Sequence, residues 1–336
     1  MQPDPLFVVN PKVPCPACGA RRRERKRCEV CKKTGYHRLN LQGLWSPSPG
    51  FLVCGGPSLR KLDLSPLRER GIVSVGINQA ASYAPVRAWT FGDPPKKFHH
   101  ALWLDGSTLT FAPLGKLKLN IRARLPDKTF RTVDRLARDC PGTVGYSRSS
   151  KWLESPVIGS DGQPVFGPDK KPLYTYDPSS FLTTEYAHWG TGGKDSCLCS
   201  MMLGFRLLHY MGCPTIYMLG VDFNMTDRHQ YAFNQRKAPR NGRYRKENAM
   251  CAAVAPVLSA AGVEVFNCNQ HSNCTAFPFK PYIEALDDCR GGIPAEPFDL
   301  SNWYDKGHGK EQAEKYPDVM PMAELTGIVS KERAGA

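Results

Sequence analysis

The sequence predicts an α/β fold, a mostly parallel sheet with helices on both faces, preceded by a small metal-binding module. Three short apolar runs carry the first part: Phe51-Leu-Val-Cys-Gly-Gly-Pro-Ser58, Ser74-Val-Gly-Ile-Asn-Gln79 and Ile216-Tyr-Met-Leu-Gly-Val-Asp-Phe223. Each reads as a buried strand ending in glycine or a short polar residue. Helical stretches between them give the alternation of a parallel sheet. Two cysteine pairs, Cys15-Pro-Ala-Cys18 and Cys28-Glu-Val-Cys31, carry the second part.

The elements follow in order. Residues 1–14 form an N-terminal arm, residues 15–36 the metal module, and residues 37–50, ending Trp45-Ser-Pro-Ser-Pro-Gly50, a linker by composition. The α/β body spans 51–290, with strands expected at 51–54, 72–77, 87–91, 215–220 and 263–267. Helices are expected at 59–70, 129–139, 195–211 and 246–261. The stretch 141–190 is rich in Gly, Pro, Ser and Asp and too long for an ordinary connection, so it reads as a lid or insertion. Residues 291–336 have little apolar periodicity and read as a tail.

With 336 residues and 41% hydrophobic content, the chain has enough apolar material for one large core plus an appendage. No apolar stretch approaches bilayer length, and Met1-Gln-Pro-Asp-Pro-Leu is not a signal peptide, so no membrane partner is expected. The thirteen cysteines do not make a disulfide scaffold, which suits small secreted chains; a reducing, cytoplasmic setting is expected, host cytoplasm for a viral protein. Oligomeric state is not legible. Net charge is +14, and residues 1–50, with ten Lys/Arg against three Asp/Glu, carry half of it.

The two Cys-x-x-Cys knuckles place four thiolates where one tetrahedral Zn²⁺ can accept them. Cys15, Cys18, Cys28 and Cys31 are the expected ligands of a structural zinc, and the metal would supply most of the module's folding energy. The pattern resembles half of a DnaJ-type cysteine-rich module. Between the knuckles, Arg21-Arg-Arg-Glu-Arg-Lys-Arg27 puts six positive charges in seven residues. Such a loop is either a solvated face or, on a rigid zinc base, a phosphate-contacting surface.

The strand ends point at one crevice, because ligands of open α/β sheets collect at the carboxyl ends of the strands. The body is expected to be a Rossmann-like, GT-A-like nucleotide-binding domain. Gly55-Gly56-Pro-Ser58, Asn78-Gln79, the helix start Gly192-Gly-Lys-Asp-Ser196, Ile216–Phe223 and Tyr231-Ala-Phe233 together resemble the Campylobacter-type bacterial sialyltransferases. They also resemble the wider motif-sharing group that includes archaeal hydroxymethylpterin diphosphokinases. The resemblance covers about residues 51–280. It implies a nucleotide-sugar donor, CMP- or UDP-linked, held by Gly55, Gly56, Ser58, Asn78 and Ser196. Gln79 would emerge beside Asn78, and Asp222 would hold the ribose or cap a turn. Asn269, in Asn267-Cys-Asn-Gln-His-Ser272, would close the pocket from the far side.

One departure bears on the chemistry. The sialyltransferases use a histidine as general base after Tyr-Ala-Phe, and the matching Asn241-Gly-Arg-Tyr-Arg-Lys-Glu247 has none. His229 and Asp93 are the candidates in its place. His229 is equally read as a solvated loop histidine, and Asp93 as a turn former before Pro94. A base must reach the acceptor hydroxyl before its pKa counts.

Arg236, Lys237, Arg240, Arg243, Arg245 and Lys246 fall within eleven residues free of acids, with Tyr244 among them and Tyr231 and Phe233 just before. A donor phosphate needs one or two cations. The surplus points to a polyanionic acceptor, with Arg243 and Tyr244 beside the reacting base, or to a solvated basic face. The tract from Lys116 to Lys151 adds ten basic residues against three acidic ones. The expected function is therefore a glycosyltransferase moving a sugar to a hydroxylated pyrimidine in DNA, as a phage would use. The alternatives are a catalytically degenerate nucleic-acid-binding protein, a glycan transferase, and a diphosphokinase for a small hydroxymethyl heterocycle.

Overall fold

The computed structural model describes residues 12–14, 26–27, 36–38, 43–69, 71–105, 108–125, 129–140, 142–146, 155–167, 172–175, 181–182, 199–224, 231–233, 241–291 and 319–320. Near the N-terminus, β1 (Lys12–Pro14) pairs antiparallel with β2 (Tyr36–Arg38), joining Lys12 to Arg38 and Pro14 to Tyr36. The body begins with β3 (Gly50–Val53), β4 (Val73–Ile77), β5 (Ala88–Thr90) and β6 (Leu109–Pro113). A ribbon of β7 (Asn120–Arg124) and β8 (Phe130–Leu136) precedes β9 (Thr143–Tyr146). The short hairpin β10 (Ser155–Pro156) and β11 (Tyr174–Thr175) is followed by β12 (Thr215–Leu219), β13 (Glu264–Asn267) and β14 (Val319–Met320). The helices are α1 (Ala80–Tyr83), α2 (His100–Leu104), α3 (Ser200–Tyr210), α4 (Asn241–Ala260) and α5 (Tyr282–Arg290).

Seven strands form one parallel sheet in the order β13-β12-β3-β4-β5-β6-β9. The chain starts in the middle at β3, runs outward to β9, then returns to lay β12 and β13 on the other side. That makes the β3/β12 boundary a topological switch point, where side chains at strand ends are not roofed by a direct crossover. Side-chain alternation divides the core. Leu52, Val73, Val75, Ile216 and Met218 pack against α3 and α4 on one face, and Phe51, Val53, Tyr217 and Leu219 pack against Tyr282, Ala285 and Leu286 of α5 on the other. Helices cover both faces, and the expected α/β, Rossmann-like class is the observed one.

The five expected strands form with ends shifted by at most one residue. Two expected helices do not form. Residues 59–70 make two 3-10 turns, Pro57–Lys61 and Ser65–Arg68, each opened by a proline within its first two positions. Residues 129–139 contain strand β8, whose ladder to β7 and β14 outweighs local helical spacing and seats Val133 on a core of Trp89, Phe91, Phe98 and Trp103. The proposed lid stretch, 141–190, contributes the sheet's edge strand β9, and Val319–Met320 of the tail pairs with β8. Within the expected linker, Gly43 and Trp45 donate their N–H groups to the carbonyls of Tyr210 and Met211, and Trp45 is buried. Among the described residues no helix is long and apolar enough to cross a membrane.

Candidate functional site

The switch point is closed by side chains. After β3 the chain turns through Cys54, Gly55, Gly56 and Pro57 to Ser58, against the segment leaving β12. Cys54 donates its N–H to Leu219 O and Gly56 to Gly220 O, both at 2.8 Å. Asp222, buried at the end of β12, accepts from the Ser58 N–H (2.8 Å), the Ser58 hydroxyl (2.5 Å) and Asn269 Nδ2 (2.7 Å). The Asp222 carbonyl also accepts from Asn273 N at 2.9 Å, so one aspartate ties together the loops after β3, β12 and β13. A Cβ at Gly56 would collide with the Asp222 carboxylate and the Gly220 carbonyl. Glycine is required there by close packing between loops. The N–H of Ser58, a residue expected to hold the donor, faces the carboxylate of Asp222.

Gly55 has a different environment. A Cβ there would stand 3.0 Å from the Phe233 ring and 3.2 Å from that of Tyr231, which stack on each other at 5.2 Å and 14°. Ala232 N donates to Gly55 O at 3.0 Å. Arg60 fixes this aromatic segment from below, donating to Ala232 O at 2.9 Å and Tyr231 O at 2.8 Å. Arg60 escaped the sequence reading; its position two residues beyond Ser58, inside the motif segment, was the one available signal.

The ends of β4 and β5 form a second group. Asn78 adopts a left-handed backbone at φ 52, uncommon outside glycine. Its N–H donates to Thr90 O (2.9 Å), its carbonyl accepts from Trp89 Nε1 (2.9 Å), and its Oδ1 accepts from Gly92 N (3.1 Å). Asn78 thus holds the turn that presents Asp93, which pairs with Lys97 at 2.9 Å. Gln79 bonds to the Lys97 carbonyl and accepts from Ser82 at 3.1 Å.

A third group comes from the first turns of α4. Arg243 Nε reaches Glu247 Oε1 at 2.7 Å, and Tyr244 stacks on Phe223 at 5.6 Å and 17°. Phe223 is the second left-handed non-glycine residue, φ 51, again at a strand end. Burial, with Tyr231 and Glu247 nearby, pushes the Tyr244 hydroxyl up, so it stays protonated at neutral pH. Burial, with Cys199 and Glu247 beside it, likewise raises the Cys54 thiol well above the ordinary range, and burial lifts Cys199 to about 12. These thiols are neutral packing groups at neutral pH.

Gly55, Gly56, Ser58, Asp222 and Asn269 therefore meet in one knot, Asn78, Gln79 and Asp93 in a neighbouring one, and Tyr244 joins through Phe223, while Arg243 pairs with Glu247. Ser196, His229, Cys15, Cys18, Cys28 and Cys31 lie outside the described residues. Among the described residues no group of three or more His, Cys, Asp or Glu could hold a metal ion.

No family model matches the chain, and no curated protein matches it. Among solved structures, it is similar to the MAf glycosyltransferase from Magnetospirillum magneticum AMB-1, at 12% identity and a TM-score of 0.36, over 82% of this chain and 42% of that one. The chain spans less than half the length of that protein.

Proposed function

We propose that the chain is a nucleotide-sugar-dependent glycosyltransferase with its donor across the β3/β12 switch point and a hydroxylated pyrimidine of DNA as acceptor. The observation that carries the reading is the convergence of polar side chains on the carboxyl ends of five adjacent strands, β13, β12, β3, β4 and β5, around that switch point, where two left-handed non-glycine residues, Asn78 and Phe223, also lie. Strained backbone of this kind clusters at functional sites. Because Asp222 occupies the Ser58 N–H, the donor is held by side chains and rings. Tyr231 and Phe233 would stack on the nucleoside over Gly55, and Asn78 and Gln79 would contact it from β4. Ser196, which precedes α3 in sequence, remains the carried-over donor contact.

In the reaction, the acceptor oxygen attacks the anomeric carbon as the bond from that carbon to the nucleotide phosphate breaks. The acceptor's proton passes to a base and the phosphate leaves with the electron pair. Asp93 and His229 are the candidate bases, and Arg243 with Tyr244 would sit beside the reacting nucleobase. A structural Zn²⁺ on Cys15, Cys18, Cys28 and Cys31 fits the β1–β2 ribbon, which holds the two ends of that segment together. Its arginine-rich loop would contact DNA phosphates.

The test is mass analysis of nucleosides from DNA incubated with the protein and a panel of nucleotide sugars. A glycosylated pyrimidine is expected; unmodified DNA with every donor refutes the transfer reading. A second reading, a DNA-binding module with a degenerate pocket, is favoured by the carboxylate of Asp222 filling the motif turn. It requires DNA binding without any response to nucleotide sugars.

A further inference from the structure

The ribbon β7–β8 was not foreseen as a structural unit, and its segment is strongly basic. Between residues 114 and 140 the sequence has eight Lys/Arg and three Asp, and one of those acids, Asp134, is buried. One side of the ribbon is anchored: Ile121, Ala123 and Val133 are fully buried against Trp89, Phe91 and Trp103. Arg122 alternates to the opposite side and is half-buried, Lys116 is half-buried, and Lys118 is exposed. Two apolar side chains accompany them in solvent, Phe130 at 45% and Leu119 at 40% exposure.

Its position gives this surface meaning. β7 packs against the 3-10 turn Pro95–Lys97 and against α2. That turn follows Asp93 directly, and Lys96 and Lys97 are both exposed on it. The basic face therefore continues from the ribbon to the end of β5, where the candidate base stands. β7 is also the outer strand of its sheet, in the order β14-β8-β7, so no further strand lies beyond it among the described residues.

We propose that the β7–β8 ribbon, with Lys118, Arg122 and Lys96, is a track for the sugar-phosphate backbone of a nucleic acid, leading it to the mouth beside Asp93. The inference rests on the nucleic-acid acceptor of the preceding section and adds the surface that binds it. Cations on a rigid ribbon neutralise phosphates and release counterions, which supplies affinity without base information. An exposed aromatic such as Phe130 among the cations offers a stacking face for an unpaired base.

Full-length protein is titrated with a fluorescent DNA oligonucleotide at several salt concentrations by anisotropy. The variant Lys118→Gln with Arg122→Gln is compared with Ser259→Glu with Ala261→Glu, an equal charge change on exposed positions preceding β13. The ribbon variant is expected to bind about tenfold more weakly and to lower the slope of log affinity against log salt by about 2, with the control near the parent. Equal effects of the two variants, or none, overturn the track while parental DNA binding leaves the acceptor reading standing. A parent that binds anionic vesicles and not DNA overturns both. Nucleotide-sugar titration of the same variants, expected unchanged, shows that the donor site is intact.

Discussion

Asp222 accepts two hydrogen bonds from Ser58, one from its N–H at 2.8 Å and one from its hydroxyl at 2.5 Å, across the boundary between β3 and β12. The pair lies 164 residues apart in sequence and fastens the loop of the first sheet strand to the segment leaving β12. Asp222→Ala strips the acceptor from three donors at once and is expected to lower stability by about 3 kcal/mol, against about 1 kcal/mol for Ser58→Ala. Urea unfolding of both variants measures the difference. Equal costs would show that Asn269 and the Ser58 N–H find other partners.

Gly55 and Gly56 are adjacent and should respond in opposite ways. Gly56→Ala drives a methyl group into a carboxylate and a backbone carbonyl, and overpacking against backbone is expected to destabilise by about 3 kcal/mol. Gly55→Ala meets only the rings of Phe233 and Tyr231, which can swing aside. That variant should keep its fold and change donor binding, because the stacked pair moves. Thermal unfolding combined with nucleotide titration separates the two, and similar unfolding of both variants would contradict the packing described.

Much of this site was legible because its signals are local. A buried run followed by Gly-Gly-Pro-Ser or Gly-x-Asp marks a strand and its loop whatever surrounds it, so β3, β4 and β12 could be read directly. The link from Asp222 to Ser58, and the grip of Arg60 on Tyr231 and Ala232, are long-range and leave no trace in spacing. The β7–β8 ribbon was missed because 129–139 satisfies a helical pattern and becomes a strand only through its pairing with 120–124. Where the resemblance put a donor contact at Ser58, the fold supplied a carboxylate, since a motif shows which residues meet but not which of them bond to each other.

Asn78 combines a left-handed backbone with a side chain that holds Gly92. Asn78→Gly relieves the backbone and deletes the side chain, whereas Asn78→Ala deletes the side chain and keeps the strain, about 1 kcal/mol. The glycine variant is therefore expected to be the more stable of the two by roughly that amount. Both should lose donor affinity, since neither has the amide. Retained nucleotide binding in both would move the donor site away from β4.

The metal has its own test. One Zn²⁺ per chain is expected by elemental analysis of freshly purified protein, with loss on replacing Cys15 and Cys28 together by Ala. The α/β body should unfold at an unchanged temperature in that variant, because the ligands precede β3 in sequence. Zinc retained after the double replacement would point to ligands elsewhere in the chain.

Acid stability should report on the far edge of the sheet. Asp288 accepts from the Lys280 ammonium and the Tyr217 hydroxyl, and these two bonds, Lys280's first, hold its carboxyl below the ordinary 3.8. A depressed folded-state pKa means stability that is fully present above the unfolded value and is lost as pH falls through the folded one. Asp288 is 40% exposed and Lys280 26%, so solvent screens the pair and its contribution is modest. Asp288→Asn should therefore lower the urea midpoint slightly at pH 6, by an amount that shrinks as the pH falls through the lowered carboxyl value. Lys280 is shifted upward by the same bond, so its share persists until alkaline pH and is lost as pH rises through its raised value. A midpoint difference between the two proteins that is as large at pH 2 as at pH 6 would assign the effect to packing around Tyr217 instead of to charge.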